Sequence, residues 1–242
     1  MKARIEAPAG SAPRGRARPS LEASKAAPKN QPGKLDKASR GPRHHKQLPG
    51  EVRIIGGLYK RTKLPVADKP GLRPTPDRVR ETLFNWLGQD LTGWRCIDVF
   101  AGTGALGFEA ASRGAAEVWL CEQDGALVAQ LKALQTKLKA GMVKVERGDG
   151  ITALRRLGAG TLQLVLLDPP FDSGLLEPAL QAAAEAVADT GWVYLEASEA
   201  WQDEALAAYG LRVFRRGKAG AVHFHLLARQ GPANLIPPAA GA

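Results

Sequence analysis

The sequence contains only two cysteines, Cys96 and Cys121, and four histidines. Two cysteines within apolar stretches do not make a disulfide framework, so we expect small core residues in a reducing, cytoplasmic setting. No apolar run is long enough to cross a membrane, and the chain does not open with a basic segment followed by an apolar stretch. These absences argue against a membrane partner and against secretion. His223 and His225 share one face of a strand without a third ligand, so no metal site is expected.

Positive charge is abundant but lies mostly at one end of the chain. The net charge is +10 over 242 residues. Residues 1–50 hold 12 Lys/Arg against 3 Asp/Glu, a net of +9, whereas residues 51–242 hold 22 against 21, a net of +1. Few large apolar residues accompany the charge in 1–50, which predicts a disordered basic tail. This tail either holds polyanionic RNA non-specifically or only keeps the protein soluble, and the sequence leaves both open.

Beyond the tail, apolar patterning predicts a small β-rich extension over 51–75, a large α/β domain over 76–230 and a flexible C-terminal tail over 231–242. Strand-like segments flank Gly56 and Gly57 in the extension, which favours a hairpin. Thr75 as N-cap, with Pro76 in the first helical position, predicts the start of the helix that follows.

From residue 95 onward, strand and helix patterns alternate, which indicates a mostly parallel sheet covered on both faces. The last two strands leave no room for a helix between them and predict an antiparallel hairpin. We predict strands at 95–100, 117–122, 142–147, 162–167, 191–196, 211–216 and 221–228. We predict helices at about 104–113, 125–138, 150–157, 174–188 and 199–208.

A glycine-rich loop, Ala101-Gly102-Thr103-Gly104-Ala105-Leu106-Gly107, follows the strand that ends at Asp98-Val99-Phe100. This G-x-G-x-x-G stands between a strand and a helix, the context in which it indicates a nucleotide-like cofactor. Asp98 repels a pyrophosphate but favours a cationic ligand, which points to S-adenosylmethionine rather than NAD. Glu122, at the end of the next strand, is placed to accept ribose hydroxyls. The candidate cofactor contacts are Asp98, Phe100, Gly102, Thr103, Gly104, Glu122 and Asp149.

Asp149 has two candidate roles. An aspartate after a strand can accept a hydrogen bond from the adenine amino group, and it can cap the next helix; one side chain can do both.

The segment Asp168-Pro169-Pro170-Phe171 follows a buried strand and combines a carboxylate, outward carbonyls and an aromatic face. These groups suit a planar ligand that carries an exocyclic amino group, such as a nucleobase. The alternative is a strand-ending turn whose phenylalanine lies in the core. The candidate catalytic residues are Asp168, Pro169 and Phe171.

Basic residues concentrate just before the α/β domain, where residues 51–80 contain eight Lys/Arg and three Asp/Glu. Such a cluster favours an RNA-phosphate surface, although ordinary surface charge explains any single member. Arg78 and Arg80 have a further alternative, pairing with Asp77 or Glu81. The candidate RNA contacts are Arg53, Lys60, Arg61, Lys63, Arg73, Arg78 and Arg80.

In this order, Asp98-Val-Phe-Ala-Gly-Thr-Gly, Glu122, Asp149 and Asp168-Pro-Pro-Phe resemble a class I S-adenosylmethionine-dependent methyltransferase. Arg53-Ile-Ile-Gly-Gly and the segment from Gly71 to Leu87 are similar to the RsmD family. Its members are bacterial enzymes that methylate the exocyclic N2 of a guanine, position 966 by name, in 16S ribosomal RNA. The resemblance runs from about residue 52 to 229 and excludes the basic tail.

This resemblance implies a Rossmann-like fold with a seven-stranded, mostly parallel sheet, a C-terminal antiparallel hairpin and helices on both faces, behind the β-rich extension. It implies S-adenosylmethionine as cofactor and, as partner, 16S ribosomal RNA within an assembling small subunit. We expect a monomer that acts in the cytoplasm.

Asp168 and the Pro169 carbonyl are then expected to accept the two N–H bonds of the guanine amino group, with Phe171 stacked on an extruded base.

Three other functions remain open from the residues alone. An amino-methyltransferase acting on DNA adenine N6 or protein glutamine uses similar motifs to hold an NH2 group. An NAD-dependent oxidoreductase shares the glycine loop. A non-catalytic RNA-binding or assembly factor is the third, although intact motifs argue against it.

Overall fold

Seven strands form one sheet in the order β5-β4-β3-β6-β7-β9-β8. The computed structural model describes residues 50–69, 72, 74–171 and 173–231. Strands β3 to β7 pair in parallel, whereas β9 runs antiparallel to both β7 and β8. This confirms the predicted class I methyltransferase sheet with its C-terminal antiparallel hairpin. The strands are β3 (Arg95–Asp98), β4 (Glu117–Glu122), β5 (Val143–Arg147), β6 (Leu162–Leu167), β7 (Val187–Ala197), β8 (Leu211–Ala219) and β9 (Val222–Arg229).

Helices cover both faces of the sheet because alternate residues of the central strands are apolar in both directions. In β6, Leu164 and Leu166 belong to one core cluster, and Val165 and Leu167 belong to the other. The first cluster packs against α1, α2 and α3, and the second against α4, α5 and α6. The helices are α1 (Asp77–Trp86), α2 (Ala105–Ser112), α3 (Gly125–Leu138), α4 (Gly150–Arg156), α5 (Leu176–Ala186) and α6 (Asp203–Leu206).

The N-terminal extension forms a separate two-stranded antiparallel hairpin, β1 (Glu51–Arg53) with β2 (Lys63–Pro65). The loop that joins β1 to β2 contacts α2 through the fully buried side chain of Glu109. The carboxylate of Glu109 accepts the backbone N–H groups of Ile55 and Gly56, each at 2.8 Å. The hairpin is therefore fixed to the helix that begins at the glycine loop.

Two buried guanidinium groups complete this docking site. Arg113 Nε donates to Glu109 Oε1 at 2.9 Å, and Arg80 Nη1 donates to Glu109 Oε2 at 3.3 Å. Arg80 Nη2 also donates to the carbonyl of Arg53 at 2.7 Å and pairs with Asp77 at 2.6 Å. One buried acid and two cations thus hold α1, α2 and the hairpin together, which we call the Glu109 network.

Two helix starts differ from the sequence predictions. Helix α1 begins at Asp77 with Pro76 as its N-cap residue, and no side chain caps it. Thr75 precedes the N-cap residue, and its buried side chain lies near the carboxyl groups of Asp168 and Glu196 at the sheet edge. The helix expected over 199–208 is reduced to α6 and a 3-10 turn at Ala207–Tyr209, since the Trp201 N–H donates to His225 Nε2 at 3.1 Å.

Strand β7 begins at Val187, four residues before its predicted start, and α5 ends at Ala186. Val187 pairs with Leu162 ahead of a register shift in β6. Both cysteines are free and buried, as expected. No helix within the described ranges is long and apolar enough to span a membrane. The basic tail, most of the C-terminal tail and Arg73 lie outside the described residues, so their predicted roles, like the domain limits, stay predictions.

Candidate active site

Carboxyl side chains gather where the parallel strands end. Asp98 closes β3, Glu122 closes β4, Asp168 follows β6, and Glu196 is the penultimate residue of β7. The carboxyl ends of parallel strands share one sheet edge, and open α/β sheets bind ligands there. This edge also receives the glycine loop and the start of α4.

Asp98 is buried and only half satisfied. Its Oδ2 accepts the Gly107 N–H at 3.0 Å, whereas Oδ1 is buried without a hydrogen bond in the described structure. Burial raises the pKa of Asp98 to about 7, and the negative charge of Glu122 adds to the rise, although the N–H groups of Gly107 and Phe100 oppose it. A buried, incompletely paired carboxylate gains most from a bound cation. The geometry therefore fits a ligand with an ammonium or sulfonium group.

The glycine loop approaches the sheet more closely than side chains would permit. Gly104, at φ +78, is the N-cap residue of α2, and an added Cβ would lie 2.6 Å from Leu131. An added Cβ at Gly107 would lie 2.0 Å from Leu120, so a glycine is needed for α2 to pack on the strands. Thr103 Oγ1 accepts the N–H of Ala105 at 3.3 Å and helps to form this turn.

Glu122 ties the glycine loop to the next strand end. Its Oε2 accepts the Gly102 N–H at 2.9 Å, and its Oε1 accepts the Asp124 N–H at 2.8 Å. Each carboxylate oxygen can accept a second hydrogen bond, so ribose hydroxyls remain compatible with this arrangement. Phe100 is partly buried against the core cluster that packs on α4, α5 and α6.

Asp149 caps α4: its Oδ1 accepts the Thr152 N–H at 2.7 Å. The capping alternative is therefore confirmed. The side chain is also exposed beside the glycine-loop edge. The adenine contact stays a prediction, because a capping carboxylate keeps further acceptor capacity.

Between β2 and α1, the described residues 66–69, 72 and 74–76 form a crossing segment over the strand ends. Lys69 forms an ion pair with Asp124, which follows β4 and caps α3. Leu72 lies against the glycine loop, since an added Cβ at Gly102 would come 3.1 Å from its Cδ1. This segment ends at Thr75, which is buried at the strand-end carboxyls.

The segment from Asp168 to Phe171 presents its aromatic ring to solvent. Phe171 is 46% exposed and is one of two large apolar side chains that stand out in this way among the described residues. The alternative that places this phenylalanine in the core is therefore wrong, although Phe171 does lie in a turn after the strand. Pro169 is buried, Pro170 is exposed, and both line a small pocket of about 60 Å³ together with Phe171, Ala197 and Ser198. The flat ring is available for stacking beside the half-buried Asp168.

Three site residues were not predicted from the sequence: Thr75, Tyr194 and Glu196. The Thr75 side chain lies near both Asp168 and Glu196, and the Tyr194 hydroxyl donates to Glu196 Oε1 at 2.8 Å. A signal was present for Glu196, because it ends an apolar strand just as Asp98 and Glu122 do. No pattern in the chain pairs Thr75 with β6 and β7, since only tertiary folding brings that segment over the sheet.

Burial raises the pKa of Asp168 well above its usual range, and the nearby charges of Glu196 and Asp98 raise it further, while the Thr75 hydroxyl opposes them. Burial likewise raises the pKa of Glu196, against the opposing hydrogen bonds from Tyr194 and Thr75. Neighbouring negative charges raise the free-energy cost of ionising both carboxyl groups. Among the described residues, no three acids, cysteines or histidines converge as a metal site.

Most of the predicted RNA contacts lie on the surface. Arg53, Lys60, Arg61, Lys63 and Arg78 are exposed. Lys63 pairs with Glu51 at 2.8 Å, with both side chains more than half exposed. Leu58, which lies between Arg53 and Lys60 in the sequence, is 77% exposed.

The prediction that Arg80 contacts RNA is wrong. Its side chain has no exposed surface, and its guanidinium is bound within the Glu109 network. The alternative pairing with Asp77 is the one observed. A buried side chain cannot reach RNA phosphates, so Arg80 acts in the fold.

Comparison with known proteins identifies the family of this chain. The family model described as Conserved hypothetical protein 95 matches residues 52–228. The chain is 42% identical over 183 residues to ribosomal RNA small subunit methyltransferase D of Escherichia coli K12, covering 75% of this chain and 91% of that protein. The Haemophilus influenzae protein of the same name is 45% identical over 139 residues, covering 56% and 72% of the two chains.

A solved Escherichia coli structure, described as a candidate methyltransferase, superposes with a TM-score of 0.65 at 40% identity and covers 76% of this chain and 100% of that one. The family model spans the hairpin, the glycine loop, the Asp168 segment and β9 alike. This chain therefore belongs to the RsmD family of methyltransferases.

Proposed function

We propose that this protein transfers a methyl group from S-adenosylmethionine to the exocyclic N2 of a guanine in 16S ribosomal RNA of the small subunit. One observation carries the proposal. Asp168 and the exposed Phe171 lie at the same sheet edge as Asp98, which has a buried carboxylate oxygen without a hydrogen bond. The names of the curated relatives, small subunit ribosomal RNA methyltransferases, support this acceptor.

The residues at the edge fit the cofactor. Asp98 has a buried, unpaired oxygen for a cationic group, and the glycine loop leaves room for close backbone approach. Glu122 and Asp149 retain acceptor capacity for ribose hydroxyls and the adenine amino group. When bound, S-adenosylmethionine supplies an electrophilic methyl group on a sulfonium.

The guanine amino group is a weak nucleophile because its lone pair is delocalised into the ring, so the protein must orient it. Asp168 and the Pro169 carbonyl accept the two N–H bonds and hold the nitrogen lone pair in one direction. The carboxylate also stabilises the positive charge that develops on nitrogen. Phe171 stacks on the base after it leaves its own helix or loop.

The exposed cations of the hairpin form the surface that meets RNA phosphates. Arg53, Lys60, Arg61, Lys63 and Arg78 lie on the hairpin and on the first turn of α1. Such contacts position the acceptor without reading its sequence. We place the reaction in the cytoplasm, with the enzyme acting as a monomer on an assembling small subunit.

The decisive experiment maps methylation of 16S ribosomal RNA from cells that lack this protein, by mass spectrometry of nuclease fragments. We expect one N2-methylguanine to disappear and to return with the wild-type gene but not with an Asp168→Ala gene. Unchanged guanine methylation in the deletion strain contradicts the ribosomal acceptor. Parallel assays on duplex DNA and on glutamine peptides identify an amino-methyltransferase with another acceptor.

A further inference from the structure

Positive charge in the folded part of the chain is concentrated in the C-terminal hairpin, residues 211–229, which comprises β8, β9 and their turn. This stretch contains five Lys/Arg and no Asp/Glu. Residues 51–242 hold 22 Lys/Arg against 21 acids, so the remainder of that range holds 17 against 21, a net of −4. The C-terminal hairpin is therefore a positive element on an otherwise negative domain, and none of the predicted RNA contacts lies in it.

The turn of the C-terminal hairpin lies at the same sheet edge as the active site. Lys218 of β8 pairs with His223 of β9, and His223 pairs with Ala197 at the end of β7. Directly paired residues of antiparallel strands carry their side chains on the same face of the sheet. Ala197 lines the small pocket beside Phe171. A row of three paired residues therefore leads from this pocket to Lys218, across two strand spacings of about 4.8 Å each.

Two cations near this turn are available to an anion. Lys218 and Arg215 are exposed, and neither forms an ion pair with an acid in the part of the chain that the structure describes. The guanidinium carbon of Arg215 lies 5.3 Å from the centroid of the Phe214 ring, a contact that uses none of its N–H donors. Both residues lie on a strand whose backbone is fixed by pairing with β9.

Other arginines of the C-terminal hairpin already have partners. Arg216 Nη1 donates to Gln202 Oε1 at 2.9 Å, and Arg216 lines a cavity together with Asp203. Arg229 lies at the far end of the C-terminal hairpin, where it pairs with Asp189 at 3.6 Å. These contacts leave Lys218 and Arg215 as the cations that a ligand at the active-site edge can reach.

Cations on β8 have a second use, because charge on an edge strand prevents its pairing with another chain. Strand β8 is an edge of the described sheet. That use requires charge along the whole strand, whereas three of the four cations of β8 lie in its last five residues, at the active-site end. Clustered charge of one sign beside a nucleobase pocket instead matches a nucleic-acid backbone.

We propose that Lys218 and Arg215 bind backbone phosphates of the acceptor RNA next to the nucleotide that enters the Phe171 pocket. This inference rests on the proposed function and adds a second phosphate surface to it. The β1–β2 hairpin contacts α2, which follows β3, whereas the C-terminal hairpin lies beyond β7. In the order of the strands, Asp168 at the end of β6 lies between them. The RNA is then held on both sides of the reacting base, by contacts that position it without reading its sequence.

Filter binding of the full chain to a 16S ribosomal RNA transcript at several salt concentrations tests the phosphate contacts. The variant is Arg215→Gln/Lys218→Gln, and the matched control is Lys132→Gln/Lys137→Gln, which removes the same charge from two exposed positions of α3. We expect the variant to lose affinity on the order of tenfold at about 0.1 M salt. Its slope of log affinity against log salt should fall by up to about 0.7 to 0.9 per substitution.

The control should bind RNA like wild type. Unchanged affinity and slope in the variant, or equal losses in the variant and the control, overturn the proposal. Should the double variant fail to fold, Lys218→Glu alone decides, because a charge reversal at this exposed position must weaken RNA binding more than Lys218→Gln does.

Kinetics separate phosphate binding from the chemistry. Methylation of small-subunit particles that lack the modification is measured against particle concentration. We expect the loss in Arg215→Gln/Lys218→Gln to appear mainly in the half-saturating concentration, on the order of tenfold, and much less in the saturating rate. A loss confined to the saturating rate overturns the proposal. So does a variant that self-associates while it keeps the wild-type half-saturating concentration, because the cations then protect the sheet edge.

The failure of the proposed function gives a different result. Wild-type protein that binds the transcript but does not methylate these particles contradicts the ribosomal acceptor. The comparison of the two double variants in filter binding still decides whether Lys218 and Arg215 bind RNA phosphates.

Discussion

At the scale of single residues, we expect Asp98 to make cofactor affinity depend on pH. Its pKa is raised to about 7, chiefly by burial, and a cationic ligand binds its ionised form. Below that pH the ligand must displace a proton, so we expect affinity for S-adenosylmethionine to weaken by up to about tenfold per pH unit. Calorimetric titrations at about pH 5.5 and about pH 7.5 measure this effect.

Asp98→Asn is expected to bind weakly at both pH values, with a flat profile. The control Asp90→Asn alters an exposed aspartate in the loop before β3 and should keep the wild-type profile. An Asp98→Asn protein with the full pH dependence assigns the titration to another group.

Asp168 is expected to serve the acceptor rather than the cofactor. We expect Asp168→Ala to abolish turnover and to leave thermal stabilisation by S-adenosylhomocysteine nearly intact. The reason is that the predicted cofactor contacts lie elsewhere, at the ends of β3 and β4, in the glycine loop and at the N-cap of α4. The control Glu177→Ala removes an exposed carboxylate from the first turn of α5. Full activity of Asp168→Ala rules out the assigned role.

Much of the site could be predicted because a strand end is visible in the sequence. Asp98, Glu122 and Asp168 each follow an apolar run, and parallel strands bring such ends to one edge. Thr75 and Arg80 could not be placed in this way. Their partners come from distant strands and from α2, and only the packed structure shows that one reaches the site and the other the core.

At the scale of elements, the Glu109 network makes the hairpin part of the main fold. Glu109→Gln removes the counter-charge of the buried Arg113 and leaves the buried Arg80 paired only with the exposed Asp77. We expect this change to cost about 3–5 kcal/mol of unfolding free energy. Urea denaturation measures the loss. Glu117→Gln is the matched control, because Glu117 also joins two cations, Arg95 and Lys144, but does so at the surface. We expect a cost of about 0–1 kcal/mol there.

Gly57 fixes the turn by which the hairpin meets α2. Its φ is +72, and an added Cβ would lie 1.8 Å from the Ser112 carbonyl oxygen. We expect Gly57→Ala to lower thermal stability, with both strain and displacement of the hairpin contributing. Gly141→Ala, in open space, serves as the control and should leave the melting temperature within a few degrees of wild type.

The elements show the same division between local and tertiary information. Helix α3 lies at Gly125–Leu138, the range predicted from the sequence, and Asp124 caps it through hydrogen bonds close by in sequence. The start of α1 and the shortened α6 differ from their predicted bounds. Pro76 rather than Thr75 is the N-cap residue of α1, and the Trp201 N–H donates to His225, which is far away in sequence. Local pattern predicts an element well until a distant partner competes for its end.

At the scale of the whole molecule, the uneven charge predicts a salt-sensitive contribution from the tail. We expect the full chain with Arg14, Arg16 and Arg18 changed to Gln to lose up to about 0.7 to 0.9 per substitution from the slope of log affinity against log salt. Filter binding to 16S RNA at several salt concentrations measures it. An unchanged slope favours a tail that only keeps the protein soluble.

The place of β9 has a consequence for synthesis of the protein. Strand β9 lies between β7 and β8, and within the described sheet β8 pairs with β9 alone. Its Phe224 also stacks on Trp86 of α1, with ring centroids 5.4 Å apart. A nascent chain that has not yet delivered residues 222–229 therefore carries an open edge on β7 and an uncovered apolar surface on α1. The last strand among the described residues closes the sheet, so we expect a chain stopped before residue 222 to be recognised by chaperones and proteases.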